Sequence, residues 1–326
     1  MHGARRRLLI ASSALLAPSA LFAQPRPKVV RIGLLGPTWS SPEPMWGSFR
    51  EALRGFGYAE GRDVVFESRS ARGEMAKLPE LARELVQRNV DVIVAGGTVS
   101  AEAARAATST IPIVAHGVAD LAESGLVASL ARPGGNVTGV AVAFPETAAK
   151  QMEIMLEVIP HGKRVAVLWP GPRTAFVQSM RKELEARVAS RFELTWHAPR
   201  TQGELQSAFR TIQGWRPDFM LVLSSPFFYG QRNELAAFAA RARIPAAYGF
   251  REYVDAGGLI SYGASLEGSL VRAAAYVDKI LRGAKPADLP VEMPSKLELA
   301  VNTKAAQALD LRIPQSVLAR ADILVR

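Results

Sequence analysis

From residue 28 onward the chain alternates short apolar runs with amphipathic helical spacing, and it does so twice over. Residues 29–35 read as a strand, 45–55 as a helix and 63–67 as a second strand. Residues 78–88 put Leu78, Leu81, Ala82, Leu85 and Val86 on one face, as a helix requires. A continuous apolar strand follows at 90–95, then an alanine-rich helix at 101–107 and a strand at 111–115. A short helix is expected at 126–130 and a strand at 137–142. Strand, helix, strand in strict order forces parallel pairing with helices on both faces of the sheet. The handedness of the crossovers then makes the sheet doubly wound. The strands are apolar along their whole length, which fits a sheet covered on both sides.

The pattern restarts near residues 143–146. Helices are expected at 147–159, 175–189, 205–214, 232–241 and 266–282, and strands at 164–169, 192–197, 218–223, 246–248 and 259–262. A chain of 326 residues exceeds one compact core, so the expected fold is α/β with two Rossmann-like lobes, each a parallel sheet with helices on both faces. The tail reads differently: residues 289–294 are extended, and short helices are expected at 304–309 and 314–321. Hinge crossings between lobes are expected at Phe144-Pro145, at Gly263-Ala264 and along 286–294. This divides the chain into lobe 1 (28–143 plus about 264–290) and lobe 2 (144–263 plus about 291–326). Ordinary loops joining two stacked domains are the alternative.

The first 23 residues read as a signal peptide: Arg5, Arg6 and Arg7, an apolar run, then Ala23 as a small residue for cleavage. The run is short and soon followed by Pro25 and Pro27, whereas a membrane span needs about 20 apolar residues. A retained anchor and a twin-arginine route are the alternatives. The sequence has no cysteine, which excludes a lipid-anchored cysteine, a disulfide and thiolate chemistry. The expected location is the periplasm.

The net charge is +10, and three of those positive charges belong to the leader. The basic residues are scattered, with neither a basic face nor a reading helix for nucleic acid. His2, His116, His161 and His197 do not pair at metal-ligand spacing, so no metal site is expected.

In open parallel sheets ligands collect beyond the carboxyl ends of the strands. The turn Gly96-Gly97-Thr98-Val99-Ser100 is the sharpest candidate. Gly97 lets the backbone approach a ligand, Thr98 and Ser100 offer hydroxyls, and the helix start suits a carboxylate or phosphate. Thr38, Trp39 and His116 follow other strands of the first half. Trp169, Ser225, Phe227, Tyr248 and Arg251 follow strands of the second half. These aromatics, together with Phe228 and Tyr229, suit a cleft wall, and Arg251 suits forked pairing with a carboxylate. The glycine turn lacks the lysine of a nucleotide-binding P-loop, and the glycines near Gly33 and Gly36 do not complete a dinucleotide fingerprint. No Gly-x-Ser-x-Gly elbow is present, and His116, Asp120 and Ser124 share one loop, which does not readily build a triad. The expectation is therefore no catalytic residue, no metal and no cofactor.

Several blocks carry a family resemblance. They are residues 130–140 (Leu-Ala-Arg-Pro-Gly-Gly-Asn-Val-Thr-Gly-Val), Gly61-Arg62-Asp63-Val64, 90–97, 110–114, 256–263, 289–292 and 297–306. Together they resemble ABC-transporter substrate-binding proteins related to the tryptophan/tyrosine-binding TrpX group. The resemblance implies a type I periplasmic binding protein whose two lobes close on a small solute. It further implies an ABC permease of the inner membrane as partner, and a monomer. In relatives the ligand is an aromatic amino acid held by hydroxyls and backbone amides; here Thr98 and its turn, with Ser225 and Tyr248, would take that role. Two features depart from the family pattern. Asp120 is followed by Leu121-Ala122 instead of proline, and the Trp169-Pro170-Gly171-Pro172 turn lacks a polar liner. Small carboxylates other than amino acids are therefore expected as well. An exported enzyme using His116 or Asp120, and a sensor for a membrane kinase, are the competing readings.

Overall fold

The structure is a computed structural model that describes residues 29–38, 43–119, 121–142, 145–171, 175–188, 190–294 and 296–326. The expected leader and hinge residue Phe144 lie outside them.

The first half builds β1 (Val30–Gly36), α1 (Glu43–Gly55), β2 (Val64–Ser70), α2 (Leu78–Gln87), β3 (Val92–Gly96), α3 (Thr98–Ala107), β4 (Ile113–Val118) and β5 (Val137–Ala141). These strands form one parallel sheet in the order β2-β1-β3-β4-β5. The central strand β3 and the last strand β5 are both buried at every position, β3 being apolar throughout. The second half builds α4 (Pro145–Val158), β6 (Arg164–Leu168), α5 (Ala175–Val188), β7 (Glu193–His197), α6 (Gln202–Trp215) and β8 (Phe219–Val222). It continues with α7 (Pro226–Gly230), α8 (Arg232–Arg241), β9 (Ala246–Tyr248), α9 (Arg251–Asp255) and β10 (Ile260–Ala264). Then come α10 (Leu266–Leu281), β11 (Leu297–Asn302), α11 (Thr303–Ala308), α12 (Gln315–Leu318) and β12 (Ile323–Val325). The second sheet runs β12-β11-β10-β9-β8-β6-β7.

The chain passes between the sheets three times. After β5 it enters α4, which packs on β8, β9 and β10. After β10 it returns as α10, which packs on α1, β4 and β5. Trp46, Phe49 and Leu53 of α1 meet Leu270, Ala273 and Val277 of α10 in one buried cluster over the first sheet. Finally Glu292, whose N–H donates to Gly139 O at 2.9 Å, leaves for β11 in the second sheet. Pairing with the first sheet thus runs as far as Glu292, which bridges to Val140.

Three expectations are corrected. The second sheet is mixed, because β11 runs antiparallel to β10. β11 and β12 were not expected as strands; charged Lys296 and Glu298 interrupt the apolar signal, and β12 is three residues long. Residues 126–130 form turns and bends instead of a helix. Gly125 turns left-handed (φ 70°), and Pro133 closes the segment, while Leu126 and Val127 stay buried beneath it. The short helices α7 and α9 were also missed, being five residues each, too short to show a helical period.

Candidate functional site

A cavity of about 140 Å³ lies where the carboxyl ends of the two sheets meet. From the first sheet, Thr38 follows β1, Gly97 and Thr98 join β3 to α3, and His116 ends the pairing of β3 with β4. From the second, Ser224 and Ser225 follow β8, Tyr229 sits on α7 and Phe250 precedes α9. Leu266 and Leu270 of α10 complete the wall.

Each polar group is held by local chemistry. Gly97 adopts φ 76°, which a side chain would strain, and its N–H donates to His116 O at 2.9 Å. That turn starts α3 at Thr98, and the first-turn N–H groups of a helix have no intrahelical acceptor. They present partial positive charge to the cavity. Ser225 caps α7: its Oγ accepts from the Phe228 N–H at 3.1 Å, leaving its own hydrogen to donate. His116 is buried with its ring edge-on to Trp46, centroids 5.2 Å apart. Burial holds its pKa down to about 4, so the imidazole is neutral near pH 7. Burial likewise raises the Tyr229 hydroxyl pKa well above its ordinary value.

No charged side chain lines the cavity among the described residues. The wall combines hydroxyls and a helix start with apolar Pro226, Phe250, Leu266 and Leu270. Such a surface suits a small anion-bearing ligand with an apolar body. Among the described residues no group of His, Asp or Glu is arranged to hold a metal ion.

The two halves touch across the cavity. A Cβ at Gly97 would lie 3.4 Å from Pro226 Cγ, and one at Gly230 would lie 3.3 Å from Thr38 Cβ and Cγ2. The cleft is therefore narrow at both points.

Of the residues expected at the site, the structure brings Thr38, Gly97, Thr98, His116 and Ser225 to the cavity. Trp39 and Asp120 lie outside the described residues. The others are elsewhere. Ser100 is fully buried in the first turns of α3 and does not line the wall. Trp169 is 4% exposed and packs edge-on to Trp196 at 5.4 Å; its N–H donates to His197 O, which extends the sheet and turns the indole into the core. Tyr248 has no exposed surface and stacks on Tyr253, centroids 4.8 Å apart. Phe227 packs against the neighbouring core cluster and does not reach the cavity. Arg251 pairs with Asp255 one turn along α9, at 3.3 Å. Leu266 and Leu270 were not expected as liners. Tyr229 was expected among the strand-end aromatics and does line the cavity, but the two leucines come from a helix whose return to the first sheet is a tertiary event.

A family model described as ABC transporter substrate binding protein matches residues 42–325. A tyrosine-binding protein of Clostridioides difficile (strain R20291) is 26% identical over 264 residues, 81% of this chain and 76% of that protein. The crystal structure of a conserved domain protein from Vibrio cholerae O1 biovar El Tor is 29% identical, with a TM-score of 0.83 over 91% of this chain and 100% of the other. At 24% identity, an ABC domain from Streptococcus pneumoniae in complex with L-Trp shares the fold with a TM-score of 0.82, over 91% of this chain and 100% of that one. The ligand-free, open form of a substrate-binding protein from Clostridium difficile, 23% identical, superposes less well, at 0.66 over 91% and 99% of the two chains. The match across nearly the whole described chain, on a two-sheet fold with a cavity between the sheets, places this protein in the ABC transporter substrate-binding family.

Proposed function

We propose that this solute receptor of an ABC importer binds a small carboxylate with a compact apolar body, aromatic amino acids being the first class to test. The observation that carries the reading is the cavity itself. Both halves contribute to it, with the α3 start and the hydroxyls of Thr38, Thr98 and Ser225 against apolar walls. Its volume of about 140 Å³ matches the size of cavity, ~150 Å³, that accepts a single aromatic ring. The similarity to a tyrosine-binding protein supports the same class.

In this reading the ligand carboxylate faces the Gly97-Thr98 turn, and the apolar body lies toward Phe250 and Leu270. The lobes are those expected from the sequence, flexing about the three passages between the sheets. Closure selects ligand by its greater affinity for the closed form, and the closed form docks on an inner-membrane permease. The protein acts as a monomer in the periplasm after its leader is removed, and it returns the ligand chemically unchanged.

A thermal-shift screen of amino acids, aromatic acids and small aliphatic acids on the mature chain tests this. The expected result is stabilisation by members carrying both a carboxylate and an apolar body, lost in Thr98→Val. Stabilisation by sugars or cations alone would refute it.

A further inference from the structure

Two buried oxygens at the strand tips of the second sheet are not used by the fold. Ser224 follows β8, lines the cavity, and its Oγ has no hydrogen-bond partner among the described residues. Gln151 of α4 is 2% exposed, and its Oε1 also has no partner among the described residues. The orientation of this amide is fixed. Its Nε2 donates to Tyr262 O at 2.7 Å, and the flipped amide would set two acceptors against each other.

The two side chains share one neighbour. A Cβ at Gly249 would lie 2.0 Å from Ser224 Oγ and 3.9 Å from Gln151 Nε2, so a glycine there leaves the pair its room. Leaving a buried acceptor unsatisfied is costly, and a fold carries such a cost where a ligand repays it.

We infer that Ser224 and Gln151 form a neutral polar subsite that accepts a hydrogen-bond donor carried next to the ligand's carboxylate. An ammonium and a hydroxyl share that chemistry, and a hydrogen in the same place lacks it. This rests on the proposed carboxylate-binding reading: the acid end sits at the Gly97-Thr98 turn, and the donor group reaches across to the second sheet. Gln151 is a specificity residue with a second attachment, because Tyr262 precedes the passage from β10 to α10. Occupancy of the subsite is thereby felt beside a point where the chain changes sheets.

The test uses three probes of one shape: L-tyrosine, its α-hydroxy analogue, and the analogue with only hydrogen in that position. Affinities are measured by calorimetry on wild type, Ser224→Ala and Gln151→Met, with Tm recorded for each. Wild type is expected to bind the amino and hydroxy probes at least ~tenfold more tightly than the third, the worth of about one hydrogen bond to a charged or strongly polar group. In Ser224→Ala that preference shrinks about fivefold or more, while binding of the third probe and Tm stay unchanged. Gln151→Met is expected to do the same if it folds; if it does not, Ser224→Ala decides, since its hydroxyl has no partner among the described residues. Equal affinity of wild type for all three probes overturns the inference, and so does an unchanged preference in Ser224→Ala. Failure of wild type to bind any of the three overturns the aromatic-acid reading as well, which separates the two failures.

Discussion

Gly230 sits at the end of α7, exposed, with the Thr38 side chain directly opposite. A single Cβ there would lie 3.3 Å from Thr38 Cβ and Cγ2, already at the tight limit of contact. Gly230→Val adds two methyl groups beyond that Cβ, and the neighbouring backbone of each half would have to move apart. Overpacking of this kind costs about 1–3 kcal/mol when the partner cannot yield. The cost falls on the closed form alone, because separated lobes leave the position in solvent. It therefore appears in binding, as an affinity loss of about 5- to 150-fold at ~1.4 kcal/mol per tenfold. Calorimetric titration with the hit from the thermal-shift screen measures it, and Tm without ligand should change little. Thr38→Ala removes the opposing methyl. In the double variant the loss should be smaller than the sum of the two single losses, the coupling expected of groups in contact. Unchanged affinity in Gly230→Val, or a loss that Thr38→Ala does not soften, would refute the view that these residues meet in the bound state.

Other outcomes follow from the same geometry. Thr98→Val removes a hydroxyl at the α3 start and should weaken ligand binding about tenfold by calorimetry without lowering Tm, provided that start holds the anion. Tyr248→Phe deletes a fully buried hydroxyl that has no partner among the described residues, so urea denaturation should show equal or greater stability; Tyr248→Ala should cost about 3–5 kcal/mol by emptying the core beside Tyr253. His116 is held down to about 4 in the folded chain against 6.5 as its ordinary value, so the unfolded chain takes up the proton first as pH falls. Its contribution is fully present above pH 6.5 and is lost progressively toward pH 4. Between pH 7 and pH 5 this amounts to about 2 kcal/mol, which a His116→Gln variant should not show in denaturation curves.

Much of the fold was legible because buried parallel strands must be mostly apolar: β3 and β8 are so throughout, β6 from Val165 on, and β5 except at Thr138. The amphipathic face of α2 was equally plain, with Leu78, Ala82 and Leu85 buried as expected. The tail was not. β11 adds antiparallel beside β10, and although four of its six residues are buried, Glu298 and Asn302 within it and Lys296 just before it break the apolar run.

The site divides the same way. A Gly-Gly-Thr turn after a strand advertises a close backbone approach and a helix start, so Gly97 and Thr98 could be found from residues alone. Which way an aromatic turns at a strand end is decided by what packs on each face. Trp169 and Tyr248 therefore face the core, next to Trp196 and Tyr253, and not the cleft. Leu266 and Leu270 reach the cavity only because α10 crosses back to the first sheet, a relation that no local pattern carries.

The most direct test is a calorimetric titration of the wild-type protein, stripped of bound ligand, with the small carboxylates that stabilise it in the thermal-shift screen. The account predicts saturable binding of one molecule per chain, recovery of that molecule unaltered, and marked weakening in both Thr98→Val and Gly230→Val. Binding that ignores both substitutions, or a compound consumed during the titration, would contradict it.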